Sequence, residues 1–336
     1  MNATEFTVKQ CFLWAKAITH CSDYRSLTYV FLDLLKGFSW IDSVQAYEIY
    51  RKKKKRSAKN SPQKTLIRKF PLDFSGDPDD HYCDFLENKE FANHIELITL
   101  SQTKIIAVLP ISSDIGPERA IVLEGCFEAR AIDLLNELLC LYHNQVLLHD
   151  HKERDVLTRL PNRQSLDDRL LEVCEFYRGN QHKFNDNTCA WLAMLDIDHF
   201  KSVNDTFGHL YGDEVLLHFG QLMENSFRYI DFIFRFGGEE FVVILNQVTK
   251  NDARKILNRF RADVEQYNFP LVGQVTVSIG ATQIQSHDIV VPSLLLDNAD
   301  KALYSAKDHG RNQVILFEDM PPNPKLQQAA NNIEFF

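Results

Sequence analysis

The chain has 336 residues, of which 45% are hydrophobic, so it is long and apolar enough to bury the cores of two domains. Its formal net charge of −9 argues against a nucleic-acid-binding surface, because phosphate neutralisation requires clustered positive charge. No apolar run approaches the ~20 residues that span a bilayer, so we expect a cytoplasmic protein without a membrane span. The seven cysteines include no C-x-x-C pair, so we expect reduced thiols and no zinc site.

The first part of the chain, residues 1–128, is predicted to form a separate α/β unit. Helical periodicity and then strand patterns follow one another along it, at residues 6–21, 26–36, 44–50, 65–70, 96–100, 104–111 and 120–125. The basic run Lys52–Arg56 falls in a strand-connecting loop, where solvated charge is favoured over a lipid or nucleotide contact. Helices followed by an antiparallel sheet and a long helix resemble a GAF-type sensor domain, with a PAS-like domain as the alternative.

A long helix over residues 129–153 is predicted to link the two halves of the chain. Apolar residues repeat along it at 3-4-3-4 spacing: Ile132, Leu135, Leu139, Tyr142 and Val146. For the first half of the helix we favour burial on its own domain, whereas for the second half a short parallel dimer seam is at least as strong a candidate as burial. The polar last turns, His149–Glu153, predict flexibility where the helix reaches the next domain.

The second domain is predicted over residues 154–318, which gives the whole chain a mixed α/β (α+β) fold. Helices and strands alternate through it, at residues 163–177, 191–196, 212–225, 231–245, 249–267, 275–281 and 294–309, with a β-hairpin at 231–245. The tail, residues 319–336, is predicted to be disordered because it is rich in Pro, Gln and Asn.

The hairpin carries the most informative feature of the sequence. The Gly237–Gly238 turn, with positive φ expected at both glycines, lies between two apolar strands and is followed at once by Glu239 and Glu240. Asp196 and Asp198 lie on one side at the end of the preceding strand, and a strand end beside a hairpin tip would bring Asp196 to the two glutamates. Such oxygen ligands suit Mg²⁺ bound with a substrate phosphate. Composition alone favours a solvated acidic turn over this metal site.

Blocks of sequence throughout the second domain match one family in order and spacing, which reverses that preference. They run from Asp155 to Arg163, Asp196 to Asp205, Phe207 to Asp213, Arg235 to Phe241, Val277 to Gly280 and Ala299 to Asn312. These blocks resemble the GGDEF diguanylate cyclases, here with Gly-Gly-Glu-Glu-Phe at the hairpin tip. The resemblance implies a palm-like domain with a ferredoxin-like core, which condenses two GTP into cyclic di-GMP and releases pyrophosphate. It also implies a homodimer, because each domain supplies one half-site.

The resemblance assigns the metal ligands and the catalytic residues. Two Mg²⁺ ions per active site, with Mn²⁺ as the alternative, would be held by Asp196, Glu239, Glu240 and the backbone carbonyl of Ile197. Glu239 would also help to activate the attacking 3′-hydroxyl. The metals would neutralise charge while the protein positions the two nucleotides.

Phosphate contacts are implied by the same resemblance. Lys307 and Arg311, at the end of the last helix, would grip the terminal phosphates, although cations at that end also complement a helix dipole. Backbone amides near His199 and Phe200, together with Lys201, would complete the phosphate cradle.

Base selection is assigned to Asn204 and Asp213. A carboxylate at Asp213 can accept from the N1–H and the exocyclic amine of guanine, whereas adenine has no donor at N1. The alternative role for Asp213 is to cap the helix predicted to start at Gly212. Asp155 and Arg163 are assigned to structure, as is the strand Val277–Gly280.

An Arg-x-x-Asp motif, Arg228 to Asp231, lies nine residues before Gly237. Inhibitable members of the family bind the cyclic di-GMP product at this position, and Arg259 is a candidate second arm. The alternative is a surface ion pair. Two other functions compete with an active, product-inhibited cyclase: a degenerate cyclic di-GMP receptor, which would not need the metal ligands, and a cyclase for another base, which Asp213 disfavours.

Overall fold

The computed structural model of the chain describes residues 7–51, 65–70, 81–87, 94–101, 104–112, 116–179, 188–228, 230–284 and 291–321. The chain divides into two compact units, Met1–Arg154 and Asp155–Phe336. Two predicted features lie outside the described residues: the basic run 52–56 and the tail from residue 322. No helix in the described ranges is long and apolar enough to cross a membrane.

The first unit is a five-stranded antiparallel sheet with helices. Its elements are α1 (Val8–Thr19), α2 (Tyr24–Lys36), β1 (Ile41–Arg51), β2 (Thr65–Phe70), α3 (His81–Glu87), β3 (Glu96–Ser101), β4 (Lys104–Ile111), β5 (Glu118–Gly125) and α4 (Ala129–Lys152). The strand order is β2-β1-β5-β4-β3, and every neighbouring pair is antiparallel. The short helix α3 was not predicted, because seven residues carry too little periodicity to identify a helix.

This sheet is covered on both faces, which explains why residues 120–123 of β5 form an unbroken apolar run. Ile121 and Leu123 pack with α1, α2 and α4 in one cluster, whereas Ala120 and Val122 belong to a second cluster with α3. Successive side chains of a strand point to opposite faces, so a strand buried on both sides loses the usual apolar–polar alternation.

The linking helix α4 packs on its own unit along its whole length. Tyr142 and Val146 are buried with Leu135 in the same cluster, and the Tyr142 ring stacks on Phe31 of α2 at 4.2 Å between centroids. Tyr142 and Val146 of the second half are therefore used inside the unit, whereas Leu148 is 61% exposed, so a dimer seam there stays a prediction.

The polar end of α4 is held by hydrogen bonds, contrary to the predicted flexibility. Arg119 of β5 donates two bonds to Asp150, at 2.8 and 2.6 Å, and both side chains are 5% exposed. The backbone N–H of Tyr24 donates to Glu153 at 2.8 Å, and Lys152 donates to the carbonyl of Ser22 at 3.1 Å. Polarity in the sequence indicated solvent, but here it marks specific partners far away along the chain.

The second unit is also built on a five-stranded sheet. Its main elements are α5 (Arg163–Gly179), β6 (Cys189–Ile197), α6 (Phe200–Phe207), α7 (His209–Ser226), β7 (Phe232–Gly237), β8 (Glu240–Val248), α8 (Lys250–Gln266), β9 (Asn268–Phe269), β10 (Gly273–Gln274), β11 (Val277–Ile284), α9 (Pro292–Asp308) and β12 (Val314–Leu316). The sheet order is β12-β11-β6-β8-β7, and β9 pairs with β10 separately. The main-sheet strands from β6 to β11 follow the βαββαβ order expected of a ferredoxin-like core, with α6 and α7 in place of the first helix and the separate β9–β10 pair before β11.

The central strand of this sheet is β6, antiparallel to β8 on one side and to β11 on the other. One face packs on α7 and α8 through an aromatic cluster in which Phe219 contacts Phe241 and Phe260. On the other face α9 lies directly against β11: a Cβ added at Gly280 would be 2.0 Å from the backbone nitrogen of Leu303. The strand therefore requires glycine there, as its assignment to structure implied.

The start of the predicted disordered tail is ordered. Residues Phe317–Asp319 form a 3₁₀ turn, and Asp319 forms ion pairs with Lys250, at 2.6 Å, and with Arg254. Residue 319, where the disordered tail was predicted to start, is therefore ordered in the second unit.

Candidate active site

The hairpin tip is fixed by Arg235, which the sequence analysis did not single out. Its guanidinium donates to the carbonyl of Gly238 at 2.8 Å and to Asp155 at 2.8 Å, while its backbone N–H bonds the carbonyl of Pro161 at 2.9 Å. Gly238 has a positive φ of 50°, but Gly237 belongs to β7 and has no positive φ, so one of the two predicted left-handed glycines was wrong.

Asp155 and Arg163 have the structural roles assigned to them. Asp155 accepts from the backbone N–H of Thr158 at 2.7 Å as well as from Arg235. These bonds offset burial and lower the pKa of its carboxyl group. The guanidinium of Arg163 lies 4.5 Å from the centre of the Phe236 ring, beside the tip. The start of the second unit therefore supports the hairpin.

The sheet brings the three predicted carboxylates to one edge. Asp196 lies directly opposite Glu240 in the β6–β8 pairing, and the N–H of Ile197 bonds the carbonyl of Glu239 at 3.4 Å. Burial raises the pKa of all three carboxyl groups, and the charge of Asp196 raises those of both glutamates further. The ammonium of Lys307 lies 2.7 Å from the carboxylate of Asp196 and opposes these shifts.

This group can hold a divalent cation only with help from other donors. Within the part of the chain that the structure describes, no three His, Cys, Asp or Glu side chains converge closely enough to hold a metal by themselves. The donors are nevertheless all oxygen, which suits Mg²⁺, and a cation would relieve the carboxylate repulsion. The predicted carbonyl of Ile197 lies at the same edge, at the end of β6.

The turn that leads from β6 into α6 lies next to the same edge. His199 has a left-handed φ of 56° and precedes α6, which starts at the buried Phe200, with Lys201 exposed. The first N–H groups of a helix have no partner within it and suit anions. Helix α6 was not predicted, because its eight residues follow the strand without a side-chain cap.

The two predicted base-selecting residues lie on consecutive helices, α6 and α7. Helix α7 begins at His209, which places Asp213 in its second turn, so the alternative role of Asp213 as a helix cap was wrong. Asp213 is exposed. A Cβ added at Gly212 would lie 2.0 Å from the side-chain oxygen of Asn204, so this glycine leaves room for Asn204 beside Asp213.

The second predicted cation, Arg311, follows Lys307 past the end of α9. Gly310, Arg311 and Asn312 have positive φ angles of 109°, 64° and 45°. Arg311 is exposed, and its charge acts against the burial that raises the pKa of Asp196. The sequence therefore located both cations correctly at the end of the helix, but it gave no sign of this strained turn.

The Arg-x-x-Asp motif forms an internal ion pair. Arg228 donates to both oxygens of Asp231, at 3.1 and 3.0 Å, and to the carbonyl of Asn246 at 2.7 Å. The Asp231 side chain is fully buried, whereas that of Arg228 is 44% exposed. Arg259 is exposed and donates to the carbonyl of Ser226, close to Arg228 in sequence, at 2.9 Å.

Asp198 is a residue whose role the sequence analysis missed. It is only 4% exposed, and its carboxylate accepts from Thr276 at 2.7 Å, from Ser278 at 2.7 Å and from the backbone N–H of Asn312 at 3.1 Å. The spacing of Asp196 and Asp198 suggested a shared direction, but β6 ends at Ile197 and strand alternation no longer applies beyond it.

Comparison with known proteins identifies the second unit. Residues 152–313 match the family model described as diguanylate cyclase, GGDEF domain. These residues form a GGDEF domain. The match confirms the resemblance drawn from the sequence blocks in this part of the chain.

The relatives of this GGDEF domain include curated diguanylate cyclases. Diguanylate cyclase DgcP of Pseudomonas aeruginosa is 40% identical over 174 residues, which are 50% of this chain and 25% of that protein. Diguanylate cyclase A of Treponema denticola is 33% identical over 199 residues, which are 58% of this chain and 53% of that protein. The chain thus spans between about a quarter and about half of the length of these relatives.

Among solved structures, the GGDEF domain of DgcB from Caulobacter crescentus in complex with c-di-GMP is similar. It shares 32% sequence identity, the match covers 50% of this chain and 96% of that chain, and the TM-score is 0.45.

Proposed function

We propose that the chain is a diguanylate cyclase, which condenses two GTP molecules into cyclic di-GMP and releases two pyrophosphates. In each half-reaction the 3′-hydroxyl of one nucleotide attacks the α-phosphate of the other, and pyrophosphate leaves. The observation that carries this proposal is the placement of Asp196, Glu239 and Glu240 at one sheet edge of a GGDEF domain, with Lys307 in contact with Asp196.

The proposed cofactor is a pair of Mg²⁺ ions per active site, with Mn²⁺ as the alternative. Asp196, Glu239, Glu240 and the backbone carbonyl of Ile197 would hold them, and the ions would supply charge neutralisation at the phosphates. The carboxylates are partly buried and raise one another's pKa, so a bound cation would stabilise their ionised forms. Lys307 would exchange its contact with Asp196 for a contact with phosphate.

The chain's own groups would position the nucleotide. Lys307 and Arg311 would bind the terminal phosphates, which suits an ammonium as a point charge and a guanidinium as a fork. The amides after His199 and the side chain of Lys201 would bind the remaining phosphate oxygens. Glu239, once ionised, would accept the proton of the 3′-hydroxyl.

Guanine would be selected by Asp213 and Asn204 on adjacent helices. The carboxylate of Asp213 would accept from N1–H and the exocyclic amine, and an adenine base would leave that acceptor unpaired. Asp213 lies in the second turn of α7 and does not cap the helix, so its exposed carboxylate is accessible to a base, which supports the proposed contact.

Cyclic di-GMP is proposed to inhibit the enzyme at Arg228 and Asp231, with Arg259 as a second arm. The 44% exposure of the Arg228 side chain supports this role, since part of the guanidinium reaches solvent. The bonds that Arg228 donates to Asp231 and to the carbonyl of Asn246 hold the guanidinium in one orientation. They support the alternative, in which the ion pair has only a structural role.

The first unit is proposed to be the sensor, with domain bounds 1–128 for the sensor, 129–153 for the linking helix and 154–318 for the cyclase. Its antiparallel sheet, with helices on one face and a short helix on the other, supports a GAF-like or PAS-like domain. The catalytic unit would act as a homodimer in the cytoplasm, where each subunit presents one GTP to the other.

The deciding experiment is incubation of the chain with Mg²⁺ and either GTP or ATP, followed by mass analysis of the products. We expect cyclic di-GMP and pyrophosphate from GTP, and no cyclic dinucleotide from ATP. Glu240→Gln should lose at least 100-fold in turnover (on the order of 2.7 kcal/mol in transition-state stabilisation) with an unchanged fold, because an amide is a poor Mg²⁺ ligand. Turnover of the variant within about tenfold of wild type would remove the metal assignment.

A degenerate receptor gives a different result in the same experiment. Such a chain would bind cyclic di-GMP in equilibrium dialysis but would release no pyrophosphate from GTP. Glu224→Gln, at an exposed position on α7, is a control for the loss of one carboxylate and should leave turnover unchanged.

A further inference from the structure

The turn that carries Arg311 is held in an unfavourable backbone conformation. Gly310, Arg311 and Asn312 have consecutive positive φ angles, of 109°, 64° and 45°. Glycine adopts such angles readily and Asn more readily than most residues, but Arg does so only when surrounding contacts compensate for the strain. Contacts from Asp198 and from α8 hold the turn.

One anchor comes from the strand end beside the carboxylates. Asp198, immediately before His199, accepts the backbone N–H of Asn312 at 3.1 Å. The same carboxylate accepts from the hydroxyl groups of Thr276 and Ser278, both at 2.7 Å. The backbone N–H of Asp198 also donates to the carbonyl of Thr276 at 2.9 Å. Asp198 therefore ties the turn to the end of β6, which carries Asp196, and to the start of the neighbouring strand β11.

The second anchor comes from α8 on the opposite side of the turn. The side-chain oxygen of Asn312 accepts from Arg261 at 2.7 Å, and its amide donates to Glu265 at 2.8 Å. Arg261 and Glu265 also pair with each other at 2.8 Å, one helical turn apart. Asn312 is thus held through its backbone from one side and through its side chain from the other.

We propose that Asp198 and Asn312 are positioning residues that hold the neighbouring Arg311 in reach of the terminal phosphates of GTP. This inference rests on the proposed function, because it names the phosphates as the target. The Arg311 side chain is exposed while the residue after it is anchored at three points, so the fixed part of the turn is its backbone. A preorganised cation loses less entropy on binding phosphate than one on a mobile loop.

A purely structural role for Asn312 would also lower stability when it is lost, so the test must report on Arg311. We measure the binding of 3′-deoxyGTP, which lacks the attacking hydroxyl, and of GMP, which lacks the terminal phosphates. The variants are Asn312→Ala, Arg311→Ala and the double variant, in the full chain with Mg²⁺. Asn258→Ala, an exposed Asn on α8 that bonds a backbone carbonyl of its own helix, is the matched control.

Asn312→Ala should weaken 3′-deoxyGTP binding at least about fivefold (on the order of 1 kcal/mol) and GMP binding by less than about twofold, with Asn258→Ala equal to wild type. In the Arg311→Ala background the further loss should fall below about twofold, because positioning has no effect once the positioned group is gone. Asp198→Ala, if it folds, should show the same binding losses as Asn312→Ala. If it does not fold, the comparison of Asn312→Ala, Arg311→Ala and the double variant alone tests the positioning role.

Equal losses for 3′-deoxyGTP and GMP, or additive losses in the double variant, would overturn the positioning role. Unchanged 3′-deoxyGTP binding in Asn312→Ala would overturn it as well. A wild-type chain that binds 3′-deoxyGTP and shows the expected cycle, yet forms no cyclic di-GMP from GTP, would support the positioning role while removing the proposed activity.

Discussion

Loss of the Asp150 carboxylate should destabilise the first unit strongly. Asp150 accepts two bonds from Arg119, both side chains are 5% exposed, and the Arg119 guanidinium also lies 4.3 Å from the centre of the Tyr24 ring. Asp150→Ala would leave the guanidinium buried without its carboxylate. Breaking a buried pair from one side costs about 3–5 kcal/mol, which corresponds to a fall of roughly 6–20 °C in the melting temperature of a unit of this size.

The matched control is Asp33→Ala, which removes an exposed ion pair with Lys36 at 3.5 Å. Exposed pairs of this kind contribute little, so the change should stay within about 0.5 kcal/mol. A second variant, Arg119→Met with Asp150→Leu, should recover most of the lost stability, because an apolar pair of similar volume leaves no buried charge.

Calorimetry of the full chain is the assay, with hydrogen exchange of the α4 amides to assign the transition to the first unit. The chain contains two compact units, and two-state unfolding is an approximation for single domains, so each transition is assigned to its own unit. If the free energy of unfolding of the first unit in Asp150→Ala is within about 1 kcal/mol of wild type, or is no lower than in Asp33→Ala, then the buried pair does not hold the end of α4.

Three further predictions concern the GGDEF domain. The pKa values of the Asp196, Glu239 and Glu240 carboxyl groups are raised in the folded domain above their ordinary values of 3.8 and 4.5. As pH rises from those ordinary values to the raised ones, the folded domain holds more protons than the unfolded chain, so the stability of the metal-free domain should fall over that pH range. Glu239→Gln should flatten this fall in melting curves recorded with a chelator, and an unchanged slope would contradict the assignment. Asp213→Ser should reduce the preference for GTP over ATP by about 1–3 kcal/mol, measured as a ratio of kcat/KM, and a preserved ratio would exclude Asp213 from base contact. Arg228→Ala should raise the cyclic di-GMP concentration for half inhibition at least about tenfold, near 1.4 kcal/mol, with a similar initial rate. Its melting temperature is measured in parallel because Asp231 is buried against the same guanidinium, and inhibition equal to wild type would leave the motif as an ion pair.

The sequence alone was sufficient to identify the hairpin tip and the cations at the end of the last helix. The two acidic residues follow a glycine turn. Lys307 lies in the last turn of a helical pattern that ends at Gly310, and Arg311 follows that glycine. Such features depend on neighbours within a few residues, so turn chemistry and periodicity are enough to locate them. Most helices and strands were found for the same reason, whereas the short α3 and α6 carried too few residues to show a period.

Tertiary structure alone decided what several polar residues do. Asp198 looks like a partner of Asp196 in the sequence, but its bonds go to Thr276, Ser278 and Asn312, which lie 78 or more positions away. Asp150 looks like part of a solvated helix end, yet it is buried against Arg119. A polar side chain is compatible with water, a ligand or a buried partner, and only the fold, by bringing distant strands and helices together, determines which of these it meets.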